Sequence, residues 1–346
     1  MAKIILADKS FSFDGKSLYS GAIGGAETAF ISLCEAFSSM GHNVYVYNLC
    51  KKEIKYKGVS WAPLEKLDNN EECDLYISNR SYELLSFIPK AKKRVFWIHN
   101  PANYLLKWRY LKQLWWWKPA IVFSSDFHLK SYPWWAPSGL RVKIPYGISQ
   151  EFLETKKIIK IPKPIAIFTS NPMRSLDWLL DLWETKIHPV IPQAELHIFS
   201  SPKTYAATGS NKGKLMSDIL KKAKNLKNKG VFLKNVLPKS ELAKVIRDSR
   251  VLLYRGDLGE TYCLALGESQ AVGIPAVIQS IGCVAERIID KKTGFVAKDD
   301  EEFAKQSIEI LTNDKLWVKL NRDTYKFQRA WTWESAAKEF EKLVLN

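Results

Sequence analysis

The sequence has little cysteine, and its cysteines are never closely paired. Five cysteines in 346 residues are an odd number, and none stands in Cys-x-x-Cys spacing. Neither a disulfide framework nor a zinc site is therefore expected, and a reducing cytoplasm fits. Four of the histidines, His42, His128, His188 and His197, show no metal-ligand spacing to one another or to cysteine. The sequence thus predicts no metal and no cofactor.

Long hydrophobic runs are also missing. No stretch approaches the ~18 apolar residues of a membrane span. The apolar run that begins at Ile4 is too short for a signal peptide. A chain of 346 residues is long enough for about two domains. We expect an ordinary globular protein of the cytoplasm, and any membrane attachment should be peripheral, at the inner face of the cell membrane.

Acidic residues are scarce relative to basic ones, 36 against 52, and the formal net charge is +16. Such a balance implies an anionic partner, but it does not choose between nucleic acid, phospholipid and a nucleotide substrate. The distribution of the charged residues along the sequence is more informative. Between Leu84 and Gln150 the only acidic residue is Asp126, against eleven basic residues. A second basic cluster, 212–239, reads as a solvated face.

The same window is rich in tryptophan. Seven of the thirteen tryptophans, Trp97, Trp108, Trp115, Trp116, Trp117, Trp134 and Trp135, interleave there with basic residues. This mixture is favoured at a phospholipid headgroup boundary. The alternative is a tryptophan core with a solvated lysine rim, but one helix cannot hide three consecutive tryptophans. The predicted membrane and acceptor residues are Trp108, Arg109, Lys112, Trp115, Trp116 and Trp117, although a helical wheel of 105–118 does not separate cleanly into two faces.

Short apolar runs alternate with helical patterns, which predicts parallel sheets with crossover helices. Strands are expected near 3–7, 43–49, 74–78, 94–98, 120–124 and 141–145 in one sheet, and 165–169, 195–199, 231–233, 251–254 and 276–278 in another. A basic, proline-punctuated connector over 156–164 separates the two groups. The predicted domains are 1–150, 151–328 and a final helix, 329–346.

Two glutamates eight positions apart, Glu260 and Glu268, carry the strongest signal in the sequence. The run 251–254 reads as a buried strand, and Gly273 with Pro275 ends the following helix. Backbone N–H groups at a helix start, aided by the helix dipole, favour an anion such as a diphosphate. Glu268 can accept hydrogen bonds from hydroxyl groups.

This block resembles the Glu-x7-Glu signature of the retaining, nucleotide-sugar-dependent glycosyltransferases of family 4. The resemblance implies the GT-B fold, an α/β architecture of two Rossmann-like, doubly wound parallel-sheet domains facing a cleft, with a C-terminal helix crossing back to the first domain. It implies that Glu260 meets the donor sugar and that Glu268 binds the ribose. The diphosphate would be held by the amides of Thr261, Tyr262, Cys263 and Leu264. An isolated Glu-x7-Glu is usually a solvated pair of carboxylates, but the flanking strand, helix and Gly-x-Pro argue against that.

Gly24 and Gly25 lie between the first strand and a helix extending to about Met40. The segment is not Gly-x-Gly-x-x-Gly, and the second strand ends without a carboxylate, so nicotinamide binding is poorly supported. The glycine pair is similar to the family's first-domain loop, which approaches the donor diphosphate and sugar. A plain turn with a helix start is the alternative.

His99 follows the strand 94–98, at the carboxyl end of a parallel strand, where clefts form in open sheets. A lone histidine is usually structural. In the family, a histidine at this strand end contacts the donor sugar. The resemblance therefore makes His99 a candidate catalytic residue beside Glu260.

Arg174 is the third candidate catalytic residue, because family members neutralise the departing diphosphate with an arginine and then a lysine before a glycine. Arg174 aligns with the lysine, Ser175 replaces the glycine, and Asn171 lies near the expected arginine. One positive charge is thus missing unless Arg255 or another residue supplies it; Arg174 as a plain surface helix-start residue is the alternative. Val236, in the family's strand and loop beside the nucleotide base, completes the predicted donor-binding set.

The expected function is transfer of a hexose from a nucleotide sugar, UDP-glucose or a related UDP-sugar by family habit, to a membrane lipid such as diacylglycerol. An acceptor in lipopolysaccharide or another envelope glycan is the alternative. The rival of another class is a basic, non-catalytic nucleic-acid-binding module. It leaves Glu260, Glu268 and the glycine pair unexplained, so nucleic acid is not expected as a partner. The lack of a plausible Asp-x-Asp motif agrees with metal-independent chemistry.

Overall fold

The computed structural model describes residues 1–205 and 209–345, and the chain divides into two compact units. Unit 1 comprises Met1–Leu18, Gly25–Gly147 and the chain from Trp331 onward. Unit 2 comprises Tyr19–Gly24 and Ile148–Ala330. The chain passes between the units after Leu18, Gly24, Gly147 and Ala330, and the domain limits expected from the sequence stay a prediction. The last residue of the predicted final helix, Asn346, lies outside the described residues.

The strands follow the short apolar runs of the sequence. They are β1 Lys3–Asp8, β2 Asn43–Asn48, β3 Ile54–Tyr56, β4 Val59–Pro63, β5 Leu75–Asn79, β6 Lys93–Trp97, β7 Ala120–Phe123, β8 Arg141–Lys143, β9 Ile165–Phe168, β10 Glu195–Phe199, β11 Val231–Lys234, β12 Val251–Leu253, β13 Ala276–Gln279 and β14 Gly294–Ala297. All eleven predicted strands are present, with ends within two residues of the prediction.

The helices connect and cover these strands. They are α1 Ser17–Ser20, α2 Gly25–Ser39, α3 Trp108–Trp117, α4 Asp126–Lys130, α5 Gln150–Leu153, α6 Leu176–Leu182, α7 Asn211–Asn225, α8 Lys239–Val245, α9 Leu264–Ala271, α10 Asp300–Thr312, α11 Asp314–Gln328 and α12 Trp333–Leu345. Short 3-10 turns, such as Ala102–Leu106, link several of them.

Unit 1 is built on an eight-stranded sheet of order β3-β4-β2-β1-β5-β6-β7-β8, parallel except for the β3–β4 pair. Ile4 of β1 pairs with Val44 on one side and Leu75 on the other. The run from Ile4 to Ala7 is completely buried, as expected of a parallel strand covered on both faces.

The β3–β4 hairpin and β14 were not predicted from the sequence. Lys57 and Gly58 form the hairpin turn, both with positive φ, 45° and 77°. Two successive left-handed residues give a turn whose twist matches the flanking strands. The three-residue strand β3 is too short to show a clear alternation of apolar and polar residues.

Helix α12 completes unit 1. Its Phe340 ring lies 6.1 Å from Phe37 of α2 and 5.4 Å from Trp97 of β6. At its start, Trp333 stacks on Tyr146 at 5.9 Å. The predicted return of the C-terminal helix to the first domain is confirmed.

Unit 2 is built on a six-stranded sheet of order β11-β10-β9-β12-β13-β14, with every neighbouring pair parallel. The carboxyl ends of β9 and β12 lead into the segments that carry Arg174 and Glu260. The predicted α/β class with two parallel-sheet domains is confirmed.

Candidate functional site

Glu260 is the centre of a buried polar cluster in unit 2. Its side chain is 9% exposed and forms an ion pair with the Arg174 guanidinium. The Tyr254 hydroxyl, just beyond β12, donates to Glu260 Oε2 over 2.8 Å. The Cys263 backbone N–H donates to Glu260 Oε1 over 3.1 Å. The structure thus brings together two predicted site residues, Glu260 and Arg174, and adds Tyr254, which the sequence did not single out.

Helix α9 begins at Leu264, four residues beyond Glu260. Its N-cap Cys263 is left-handed, with φ 61°. The predicted diphosphate-binding amides run from Thr261 to Leu264, and all four residues are buried. The expectation of unengaged amides does not hold at Cys263, because its N–H already has the Glu260 carboxylate as acceptor.

The Arg174 guanidinium is held as a full cation. Burial by itself acts to lower its pKa, but the adjacent Glu260 carboxylate outweighs burial and raises the pKa of Arg174 above its ordinary value. The side chain is still 32% exposed. Arg174 is therefore a permanently charged group that can reach an anionic ligand while it remains close to Glu260.

Ser175 occupies the position of the family's glycine and has the backbone of a glycine. Its φ is 63°, in the left-handed region that side chains disfavour. The Ser175 hydroxyl donates to the Gly256 carbonyl over 3.0 Å, which helps hold this conformation. Asn171 uses its side-chain oxygen to accept from the Met173 N–H at 2.9 Å. Asn171 thus shapes the turn that carries Arg174.

Glu268, the second glutamate of the motif, lies on α9 and is paired with Lys239, the first residue of α8. Lys239 Nζ is 2.7 Å from both carboxylate oxygens. Burial raises the pKa of Glu268, and Lys239 opposes that rise. Sequence analysis missed Lys239 because nothing local marks a lysine after Pro238 as the partner of a carboxylate on another helix.

Arg255 follows β12 but is committed to neighbours in unit 2. Its Nε donates to Gln279 Oε1 over 2.9 Å, and its guanidinium lies 4.8 Å from the centre of the Trp178 ring. Arg255 as the missing second cation remains a prediction. Lys239 is another cation that the structure brings to the motif.

Val236 lines a cavity of about 570 Å³ beside the edge strand β11. Ser200 and Ser201, beyond the carboxyl end of β10, line it as well, together with Lys234 and Asn235. The cavity contains polar groups and cations beside the residue expected to meet the nucleotide base.

Gly25 is the first residue of α2, and Gly24 directly precedes it, as the sequence predicted. Glu27, two residues further on, pairs with Arg80 at 2.7 Å in a largely buried ion pair. The start of α2 is therefore tied to the residue that follows β5.

His99 has protein partners on both ring nitrogens. Asn79 Oδ1 lies 2.6 Å from Nε2, and the Tyr146 hydroxyl lies 2.5 Å from Nδ1. Burial lowers the pKa of His99 well below its ordinary value, and the Arg80 and His128 charges lower it further. The imidazole at this predicted site position is neutral and held on both sides.

The exposed tryptophans form a second feature, in unit 1. We call tryptophan face the set Trp108, Arg109, Lys112, Trp115, Trp116, Trp134 and Trp135. Trp116 is 79% exposed and Trp134 is 88% exposed. The loop with Trp134 adjoins the end of α3, because Gly139 donates to the Pro119 carbonyl over 2.9 Å. The two segments that carry the exposed tryptophans are thus joined by a backbone hydrogen bond.

Two tryptophans of the window lie elsewhere. Trp97 is 1% exposed in the core, so it takes no part in the face. Trp117, in the predicted membrane set, is partly buried, packs on the core of unit 1 and has Arg94 4.4 Å from its ring centre. The helical wheel failed because the helix is interrupted at Lys107, which is extended between the 3-10 turn Ala102–Leu106 and α3.

Within residues 1–205 and 209–345, no group of three or more His, Cys, Asp or Glu side chains is placed to hold a metal ion. Across the same residues, every helix is too short or too polar to cross a bilayer.

A match to a known protein family lies within unit 2. Residues 204–327 match the family model described as glycosyl transferases group 1. A comparison with curated protein sequences gives no significant match.

Solved structures resemble the whole chain. Sucrose-phosphate synthase from Thermosynechococcus elongatus has a TM-score of 0.75 at 15% identity and covers 99% of this chain and 98% of its own. HepE from Anabaena, solved with UDP and glucose, has a TM-score of 0.75 and a sequence identity of 13%, and the match covers 100% of both chains. WaaG, a glycosyltransferase of lipopolysaccharide biosynthesis, has a TM-score of 0.66 and a sequence identity of 12%, and the match covers 99% of each chain. At these identities the likeness is one of fold, and it confirms the predicted GT-B class. With the family match, it supports a GT-B glycosyltransferase.

Proposed function

We propose that this protein is a retaining glycosyltransferase that moves a hexose from a UDP-sugar to a membrane lipid such as diacylglycerol. The observation that carries the proposal is the Arg174–Glu260 pair beside the buried loop 261–264, because a sugar diphosphate needs a fixed cation beside a sugar-binding carboxylate. The family match over 204–327 supports the same reaction class.

The donor is proposed to bind in unit 2. Arg174 and the backbone amides of 261, 262 and 264 hold the diphosphate, Glu260 positions the sugar, and Glu268 accepts from the ribose hydroxyls. UDP is favoured because HepE, a fold neighbour, was solved with UDP and glucose. Val236 and the cavity beside β11 provide room for the base.

The reaction breaks the bond between the anomeric carbon and the phosphate oxygen. A new bond forms from the acceptor oxygen to the same face of that carbon, and the acceptor proton passes to the departing phosphate oxygen. Such a same-face transfer needs no second carboxylate as a nucleophile. The protein's contribution is positioning and stabilisation of the diphosphate charge.

The tryptophan face supports a lipid acceptor. Exposed indole rings beside Arg109 and Lys112 match the apolar and anionic layers of a phospholipid surface. Lipopolysaccharide or another envelope glycan remains the second candidate, because it demands the same surface and because WaaG acts in lipopolysaccharide biosynthesis.

Release of UDP from a panel of sugar nucleotides, with and without diacylglycerol in anionic vesicles, tests the proposal. Lipid-dependent release would support the reaction and identify the donor. Binding of a sugar nucleotide without lipid-dependent release would move the acceptor to envelope saccharides. Salt-sensitive binding of oligonucleotides, with no affinity for any sugar nucleotide, would overturn the proposal that the protein is a glycosyltransferase.

A surface variant tests the membrane contact separately. Trp115→Ser with Trp116→Ser should weaken binding to anionic vesicles about tenfold or more, since losing roughly 60 Å² of buried apolar surface costs that much. Both side chains are exposed, so thermal stability should not change. Leu215→Ser, at an exposed apolar position of α7, is the control and should bind like the parent. Unchanged vesicle binding by the tryptophan variant would remove the face from the proposal.

A further inference from the structure

A chain of hydrogen bonds, most of them partly buried, begins at Asp8, the last residue of β1. Asp8 Oδ1 accepts from the Ser10 N–H at 2.7 Å and from the Ser10 hydroxyl at 2.5 Å. The Ser10 hydroxyl in turn accepts from Arg80 Nη1 over 3.0 Å. Asp8 Oδ1 therefore acts only as an acceptor, as a carboxylate oxygen does.

The second Asp8 oxygen fixes the next residue of the chain. Asn79 ends β5, and its Nδ2 lies 2.5 Å from Asp8 Oδ2. A carboxylate only accepts, so the amide nitrogen of Asn79 must face Asp8 and its oxygen must face away. That oxygen, Oδ1, lies 2.6 Å from His99 Nε2. Since an amide oxygen only accepts as well, His99 must carry a proton on Nε2.

The other ring nitrogen completes the assignment. The Tyr146 hydroxyl is 2.5 Å from His99 Nδ1, and a hydroxyl can donate or accept. Tyr146 therefore adapts to whichever form His99 takes, whereas Asn79 does not. Burial, and then the charges of Arg80 and His128, disfavour an added positive charge on the ring, and Asn79 separates Asp8 from the ring.

We infer that Asp8, acting through Asn79, is a positioning residue that fixes His99 as the tautomer with its proton on Nε2, so that this imidazole takes no part in proton transfer to the sugar substrates. The kinetic part rests on the proposed function, while the tautomer does not. His99 then serves as a rigid, neutral surface at the end of β6, and the acceptor proton goes to the leaving phosphate.

The direct test is nitrogen NMR of the full chain labelled at histidine, with His99 assigned by the signals lost in His99→Gln. In the parent protein, Nε2 should give the shift of a protonated nitrogen and Nδ1 that of an unprotonated one. His128 is the internal control: its Nδ1 accepts from the Ser124 N–H at 3.1 Å, and its Nε2 faces the Asn100 carbonyl at 2.8 Å. Its signals should stay constant in every folded variant.

Two variants separate the roles of the partners. Asp8→Asn keeps the shape of the side chain but places an amide that can donate to Asn79 Oδ1. The Asn79 amide then turns its nitrogen towards His99. Because that nitrogen only donates, His99 Nε2 must accept, and the proton of the imidazole should move to Nδ1. The tautomer ratio should change by roughly tenfold or more, the effect of one hydrogen bond. Tyr146→Phe should keep the proton on Nε2. A parent protein with its proton on Nδ1, a charged imidazole at neutral pH, or an unmoved proton in Asp8→Asn would overturn the assignment.

Kinetics test the consequence for the reaction. His99→Gln should lower UDP release without removing either limb of the pH–rate profile. Loss of one limb would identify His99 as a proton-transfer group and overturn that part of the inference. If no sugar nucleotide is turned over at all, the proposed function fails, while the NMR result still decides the tautomer.

Discussion

The two units place different polar chemistry at the carboxyl ends of their strands. In unit 1, Asn79 and Tyr146 contact a neutral imidazole, Asp8 contacts Asn79, and the cation Arg80 is paired with Glu27. In unit 2, two carboxylates of one motif are each paired directly with a cation, Glu260 with Arg174 and Glu268 with Lys239. Both arrangements are largely buried, so the difference lies in charge and not in exposure.

This difference indicates a division of labour under the proposed function. A diphosphate needs permanent cations, and unit 2 supplies them beside the motif glutamates. A neutral sugar needs fixed hydrogen-bonding groups with no strong field, which is what a locked imidazole provides. Variants that change one charge at a time test whether the two units differ in this way.

The largest effect is expected for Glu260→Gln. The change keeps the shape but removes the charge that holds Arg174 and positions the sugar, so transfer should fall at least about 100-fold. Steady-state UDP release measures it. Glu241→Gln, at an exposed position of α8, is the matched control and should behave like the parent. Parent-level turnover in a folded Glu260→Gln would exclude Glu260 from the mechanism.

Lys239→Met should destabilise unit 2 in a pH-dependent way. The change leaves Glu268 buried without its cation, which should lower the free energy of unfolding by about 2–4 kcal/mol at pH 7. Burial already raises the pKa of Glu268, Glu151 adds to the rise, and loss of Lys239 raises it further. A carboxyl whose pKa is raised in the folded state loses stability as pH increases, so the cost should be smaller near pH 5.

Denaturant unfolding at pH 5 and pH 7 measures this effect. The double variant Lys239→Met with Glu268→Gln removes both charges and should show little of the added pH dependence. An equal loss for Lys239→Met at the two pH values would show that Lys239 does not act through the ionisation of Glu268.

Arg80→Met is the counterpart in unit 1. Arg80 is the second cause, after burial, of the low pKa of His99. Removal of Arg80 should raise the pKa of His99, while burial keeps that pKa below its ordinary value. Loss of the ion pair with Glu27 should lower the free energy of unfolding by about 1 kcal/mol. Titration of the labelled ring by NMR gives the direction, and a lower pKa would contradict the assigned cause.

The smallest effect is expected at Ser175, which shapes the turn of Arg174. Ser175→Ala keeps the left-handed backbone but loses the hydrogen bond to Gly256, so stability should fall by about 1 kcal/mol. Ser175→Gly loses the same bond but relieves a left-handed backbone that costs roughly 1–2 kcal/mol, and should match the parent or exceed it slightly. Urea unfolding compares the two, and equal values would show that the backbone at 175 is unstrained.

The fold was largely predictable because parallel strands buried on both faces read as continuous apolar runs. The exceptions have physical reasons. The β3–β4 hairpin depends on a two-residue turn between very short segments, and the break at Lys107 comes from tertiary packing that a helical wheel does not represent.

The candidate site was predictable where residues follow strands or form a motif. Glu260 and Arg174 were expected in one site, and the structure pairs them. Lys239 was not found, because its contact with Glu268 joins two helices that no local pattern connects. Asp8 and Asn79 did carry a signal, since each is a polar residue that ends an apolar run at the carboxyl end of a parallel strand.

Helix α12 lies at the far end of the chain, yet it covers Phe37 and Trp97 in the core of unit 1. The ribosome makes the sheet of unit 1 before almost all of unit 2, and it makes the covering helix of unit 1 after unit 2. Domains generally fold in the order in which they are synthesised. Here unit 2 is made while unit 1 still exposes apolar surface, so a helix synthesised after unit 2 covers the core of the domain that was begun before it.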